Sequence, residues 1–206
     1  MRPTDFSDAS PGKIIRASSG YWAYVPNPLP PALDVDWTLA EPLARASLRL
    51  GELAGVTRTL PNPHLFIAPF VRREAVLSSR IEGTQASLSD LVRFEVMPAR
   101  GASTADVSEV ANYVRALDHG LARLKTLPMS LRLLREIHES LMTGVRGDHA
   151  TPGEFRRSQN WIGPPGSSLA DAAYVPPPVD EMGAALDAFE KFLHAPSPLP
   201  PLVRLA

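Results

Sequence analysis

Apolar residues recur at helical spacing along most of the chain. Leu39, Leu43, Ala46, Leu50 and Leu53 repeat every three or four positions, which predicts a helix from about Thr38 to Leu53 with one apolar face. Thr38 and Glu41 have the spacing of a capping box, which would place Pro42 in the first turn, where a missing N–H costs least. A second helix is predicted to start near Pro69 and to carry Phe70, Val71, Leu77 and Ile81. The third has the firmest pattern: Val107, Val110, Val114, Leu117, Leu121 and Leu124. The fourth is predicted to begin at the N-cap Ser130 and to end near Gly144. Leu131, Leu134, His138 and Leu141 form its apolar face, with Ile137 beside them. A fifth helix aligns Met182, Ala185, Leu186, Phe189 and Leu193, and Pro201 opens a sixth.

Between the fourth and fifth helices the period changes to two. In "EFRRSQNWIG", Phe155, Arg157, Gln159 and Trp161 alternate with Arg156, Ser158, Asn160 and Ile162. Followed by "PPGSSLAD" and "AAYVP", this predicts a β-hairpin over about 154–177. The expected fold is mainly α, a helical bundle with one β-hairpin. Residues 1–20 read as a loose arm, and "YWAYVPNPLPP" as an extended strap across a domain surface. "PLVRLA" ends without a glycine or polar cap, so the chain is expected to stop inside a core helix.

Composition narrows the chemistry. The 206 residues suit one domain with a small extension, and an apolar share of 44% permits a sizeable core. The 22 prolines cluster between the periodic segments, as punctuation between helices. A net charge of −1 with scattered Lys and Arg lacks the footprint of a nucleic-acid binder. There is no cysteine, hence no disulfide, thiolate metal site or cysteine nucleophile. No apolar run suits a signal peptide or a membrane span, so no membrane partner is expected and a cytoplasmic location fits. His64, His119, His138, His149 and His194 show no metal-ligand spacing, and His138 reads as a core histidine. "SLRLLREIHESL" reads as an amphipathic core helix rather than a recognition helix. Phosphate-loop, nucleophile-elbow and dinucleotide motifs are all missing. No metal ligand and no catalytic residue is therefore assigned.

One local rule is broken. In "LSSRIEGTQASLSDL", Ser78 and Glu82 lie one helical turn apart, and Gly83 is a natural terminator. Glu82 thus falls at a helix C-terminus, where the macrodipole disfavours an anion by ~0.3–1 kcal/mol. An arginine from elsewhere in the fold would remove that penalty. A solvated glutamate at a helix end is the plain alternative.

"SSRIEGT" resembles the inhibitory helix of Fic-family proteins, whose pattern is Ser/Thr-x-x-x-Glu-Gly/Asn. Ser78, Glu82 and Gly83 fill its defined positions. "YWAYVPNPLPP", "LPNPHLFIAPFVRREAVLSSRIEGTQASLSDL", "EVANYVRALDHGL", "LLREIHESLM", "PGEFRRSQNWIG", "AAYVPPP" and "LPPLVRLA" resemble successive blocks of the class that carries this helix N-terminally. The resemblance, from about Tyr21 to Ala206, implies a Fic N-terminal region with the inhibitory helix over 21–100 and the first part of the Fic core over 101–206. It implies transfer of AMP from ATP, with Mg²⁺, to a hydroxyl of a protein substrate. The family performs that chemistry with H-x-F-x-[D/E]-G-N-G-R-x-x-R, which these 206 residues do not contain. In relatives it begins beyond the point matching Ala206, so neither ATP nor Mg²⁺ is expected to bind this chain productively. Ser78, Glu82 and Gly83 would gate ATP: Glu82 would pair with the γ-phosphate arginine of the motif, and Ser78 would orient Glu82. Asn160, Trp161, Ile162 and Gly163 would lie along a flap that takes up the target by strand addition. A purely structural hairpin, with Trp161 and Tyr174 packed inward, is the alternative there. Exposed Leu202, Val203 and Leu205 would favour self-association. The second reading of the whole chain is a non-catalytic Fic-derived inhibitor or protein-binding scaffold.

Overall fold

A computed structural model describes residues 4, 6, 11–30, 33, 36–97 and 105–205, apart from the side chain of residue 148. The described residues are mainly helical, with seven α-helices and one two-stranded antiparallel hairpin. Contacts divide the chain into two compact units, Met1–Asp34 with Phe155–Pro198, and Val35–Glu154 with Leu199–Ala206.

The larger unit is built of α1 (Trp37–Thr57), α2 (Pro63–Ile81), α3 (Leu88–Val96), α4 (Ala105–Arg123), α5 (Leu131–Met142) and α7 (Pro201–Leu205). Its core joins Ala75 and Val76 of α2, Ala86 and Leu91, and Val107, Val110, Ala111 and Val114 of α4. Burying such side chains stabilises by about 1.5–3 kcal/mol for each of the larger ones. An Arg72–Glu95 ion pair at 2.7 Å ties α2 to α3.

Two helix starts differ from expectation, and side-chain caps explain both. Asp36 caps α1, accepting the Leu39 N–H at 3.0 Å, so Pro42 lies inside the helix rather than in its first turn. Asn62 caps α2, accepting the His64 N–H, and Pro63 occupies the first turn. The reasoning about proline holds, but for Pro63 and not Pro69. No residue of α1 is buried. Leu39 and Leu43 of its apolar stripe are half-buried, and Leu50 and Leu53 are exposed.

The third and fourth predicted helices stand as α4 and α5. Ser130 caps α5, accepting the Leu133 N–H at 3.3 Å. Leu121 and Leu124, expected on the apolar face of α4, are exposed, while Ala116 and Gly120 are buried. Ile137 of α5 approaches closely here: a Cβ at Gly120 would stand 2.8 Å from its Cδ1, so a larger residue would have to push the end of that side chain aside. Asn112 is buried at the α4–α5 contact, where its Nδ2 donates to the carbonyls of Leu141 (2.9 Å) and Thr143 (2.8 Å). Arg123 of α4 forks onto Glu136 of α5 at 2.7 and 3.1 Å, and Arg132 joins at 3.1 Å. Hydrogen bonds and charge from Arg123, then Arg132, hold the Glu136 carboxyl down at about 2. A depressed carboxylate stabilises fully above its ordinary range, and that stabilisation is lost as pH falls toward the folded-state value. Urea unfolding of wild type should weaken between pH about 5 and about 2, and Glu136→Gln should flatten that limb. Parallel acid limbs in the two proteins would remove Glu136 as its cause.

The smaller unit holds the hairpin. β1 (Gly12–Arg16) pairs with β2 (Trp22–Pro26) in the register Ile14↔Tyr24. The stretch expected as a loose arm thus contains a strand, and the expected strap is its partner. Gly20, at φ +89°, permits the tight return. Ala23 and Val25 of β2 are buried, and Ala23 packs with Ala172 and Val175. α6 (Val179–His194) packs on β2, with Met182, Ala185, Leu186, Phe189 and Leu193 half-buried as its periodicity predicts.

The hairpin predicted over 154–177 is not a ladder. A single antiparallel bridge, Ile162↔Tyr174, stands in its place. Pro164 and Pro165 on one side and Pro176, Pro177 and Pro178 on the other supply no N–H to extend it. Side chains take over the missing rungs: Gln159 Nε2 donates to the Pro176 carbonyl at 3.1 Å, and Arg156 donates to that of Pro177. The Val175 carbonyl accepts from Tyr24 N–H of β2 at 2.9 Å.

Candidate functional site

α2 closes with two nested bonds. Helical backbone runs to Ile81, Glu82 is the C-cap at φ −81°, and Gly83 turns to φ +94°. The Gly83 N–H donates to the Arg80 carbonyl at 3.0 Å, and the Thr84 N–H to that of Ser79 at 3.1 Å. This is a Schellman ending, which satisfies two of the last carbonyls of the helix. A Cβ at position 83 would meet open space, so the demand for glycine is purely one of backbone conformation. Gly83→Ala should therefore cost about 1–2 kcal/mol in urea denaturation, and Gly83→Asn less, since asparagine visits this region more readily. Equal stability of all three would mean that the turn relaxes without the positive φ.

The link to α3 is tied down along its length. Thr84 is buried, and its hydroxyl has no hydrogen-bond partner among the described residues. The Gln85 N–H donates to Asp106 of α4 at 2.7 Å. Ser87 caps α3 in a reciprocal box with Asp90, whose carboxyl the Ser87 bonds hold below its ordinary value. Arg146 meets both Asp106 (3.4 Å) and Glu109 (2.6 Å).

On this frame the Glu82 carboxylate is exposed, with no hydrogen bond or ion pair among the described residues. Ser78 shares its helix face, but the two are not bonded. The Ser78 hydroxyl instead donates to Glu74 Oε1 at 2.5 Å. Tyr113 of α4 stands against the same pair: burial, then hydrogen bonding with Glu74, raises its phenol, and Ser78 opposes the rise. Glu74 and Tyr113 escaped the sequence reading. The first was visible in principle, four residues before Ser78. The second is brought in by helix packing alone.

Asn160, Trp161, Ile162 and Gly163, in the smaller unit, are all exposed, and the Ile162 N–H and carbonyl make the bridge to Tyr174. His138, expected in the core, is exposed; its Nδ1 accepts the Gly153 N–H at 2.9 Å, while Arg135 holds the Gly153 carbonyl at 2.6 Å. No described helix is long and apolar enough to cross a membrane. Among the described residues no three His, Asp or Glu side chains converge, and the sequence has no phosphate-cradling loop.

Residues 40–122, from α1 through nearly all of α4, match the family model described as Fic/DOC family N-terminal. This stretch is similar to the N-terminal region of Fic/DOC-family proteins. No curated protein matches the chain. Ser78, Glu82 and Gly83 lie well inside the matched residues, whereas Asn160–Gly163 lie outside them.

Proposed function

We propose that this chain is the regulatory and target-docking part of a Fic-type protein that moves AMP from ATP to a hydroxyl of a protein substrate, with Glu82 as its inhibitory carboxylate. One observation carries the reading: within the matched residues, a locked helix end presents a carboxylate to which the described residues offer no partner. Such a group is poised for a cation supplied from elsewhere, and in this reading that cation is the γ-phosphate arginine of the reaction motif. Neither ATP nor Mg²⁺ is assigned to residues of this chain, which is inactive alone. The exposed Asn160–Gly163 segment is the surface proposed for the target. The apolar stripe of α1 is the surface proposed for self-association, and the setting proposed is cytoplasmic.

The test uses labelled ATP, Mg²⁺ and candidate target proteins. The 206-residue chain should leave them unlabelled. A polypeptide read on past the codon for Ala206, through H-x-F-x-[D/E]-G-N-G-R, should label them. A stop codon at that point would favour the non-catalytic inhibitor or scaffold, and labelling by the purified 206-residue chain would overturn the assignment of its residues to regulation and docking.

A further inference from the structure

Ser78 has one hydroxyl hydrogen and two carboxylates along its helix face. Glu74 lies one turn before it and Glu82 one turn after. Side chains of an α-helix tilt toward its N-terminus, so Ser78 leans toward Glu74, and Glu82 can lean back over Ser78. A single O–H can serve one of them well, not both. Here it serves Glu74, at 2.5 Å, and the Glu82 carboxylate is left without a hydrogen bond among the described residues.

We propose that Glu74 is a positioning residue that holds the Ser78 hydroxyl away from Glu82, making Ser78 a selector between a loose and a fixed Glu82. When Glu74 lets go, Ser78 redirects its hydrogen bond to Glu82 and pins that carboxylate at the end of α2. The consequence rests on the reading of Glu82 as inhibitory: either state can meet an arginine, and a pinned carboxylate holds it more firmly than a loose one. The selector itself is independent of that reading, because both of its states lie within this chain.

The test is carboxyl ¹³C NMR of the full 206-residue chain labelled at glutamate, with Glu74 and Glu82 assigned by substitution. In Ser78→Ala the Glu74 resonance should shift and that of Glu82 should stay. In Glu74→Ala the Glu82 resonance should shift, and in the Glu74→Ala/Ser78→Ala double variant it should return to its wild-type position. Glu74→Ala/Ser78→Thr, which restores a hydroxyl, should keep the shift of Glu74→Ala. Glu74 is exposed, so its removal leaves the core packing intact, and amide spectra report folding in every variant. A Glu82 resonance unmoved by Glu74→Ala, or moved equally in the double variant, overturns the selector. So does a Glu82 shift in Ser78→Ala alone. If Glu82 proves irrelevant to AMP transfer, these resonances still behave as described, so the two failures are distinct.

Discussion

Glu82→Gly is expected to raise the initial rate of AMP transfer roughly ten- to a hundredfold in a protein that joins this chain to the H-x-F-x-[D/E]-G-N-G-R motif. A charge-assisted arginine–carboxylate bond is worth ~1.5–3 kcal/mol. At ~1.4 kcal/mol per decade, its loss changes the fraction able to place ATP productively by that factor. The local backbone supports a clean substitution. Position 82 sits at φ −81°, open to any residue, and the closing bonds of α2 come from the N–H groups of Gly83 and Thr84, which the change leaves in place. Glu82→Gln is the companion variant: it keeps the size, removes the charge, and should raise the rate in the same direction. Ser78→Ala should act more weakly, because in this structure the Ser78 hydroxyl is engaged with Glu74. Initial rates at saturating ATP and Mg²⁺ decide the matter. Equal rates for folded wild type and Glu82→Gly would reduce Glu82 to a plain helix-end residue.

Asn112→Ala is expected to destabilise the larger unit by about 2–3 kcal/mol, the scale of leaving buried acceptors without donors. That corresponds to a fall of about 4–12 °C in Tm for a chain of this size. Asn112 is buried on α4, and its single amide group closes two carbonyls at the end of α5, those of Leu141 and Thr143. Arg115 in turn donates to its Oδ1, so the amide orientation is fixed from both sides. The same variant opens a cavity where the two helices meet, which adds to the loss. Asn112→Asp separates the two effects: it keeps the volume and replaces the donor with an acceptor, so it should be as damaging as alanine if the bonds matter most. Thermal and urea unfolding measure both, and a loss below about 0.5 kcal/mol would show that water closes those carbonyls equally well.

The parts of this fold legible in the sequence are those where local chemistry and packing agree. Ser130 is followed by an unbroken amphipathic run, and α5 begins where that says. α4 is readable from its valines, but not to its end, where Gly120, closely approached by Ile137, is buried and Leu121 is exposed. α3 was overlooked although Ser87 and Asp90 spell a capping box, since its nine residues bury only Leu91 and show too little periodicity to notice. Two prolines competed for the start of α2, and the cap supplied by Asn62 settled it in favour of Pro63. The period-two pattern at 155–162 is real, yet period alone cannot count N–H groups, and the flanking prolines remove them. At the candidate site, the backbone role of Gly83 and the exposure of Glu82 could be read from spacing. The partner of Ser78 could not, because spacing gave Glu74 and Glu82 equal claims.

The link between α2 and α3 has no slack. Thr84 and Ala86 are buried, the Thr84 and Gln85 N–H groups are both committed, and Ser87 is already the cap of the next helix. An inserted residue would have to expel Thr84 or Ala86 from the interior or pull Gln85 off Asp106. The length of this segment is therefore as constrained as its composition, and a tag or flexible spacer meant to report on Glu82 belongs on a side chain, not in the chain.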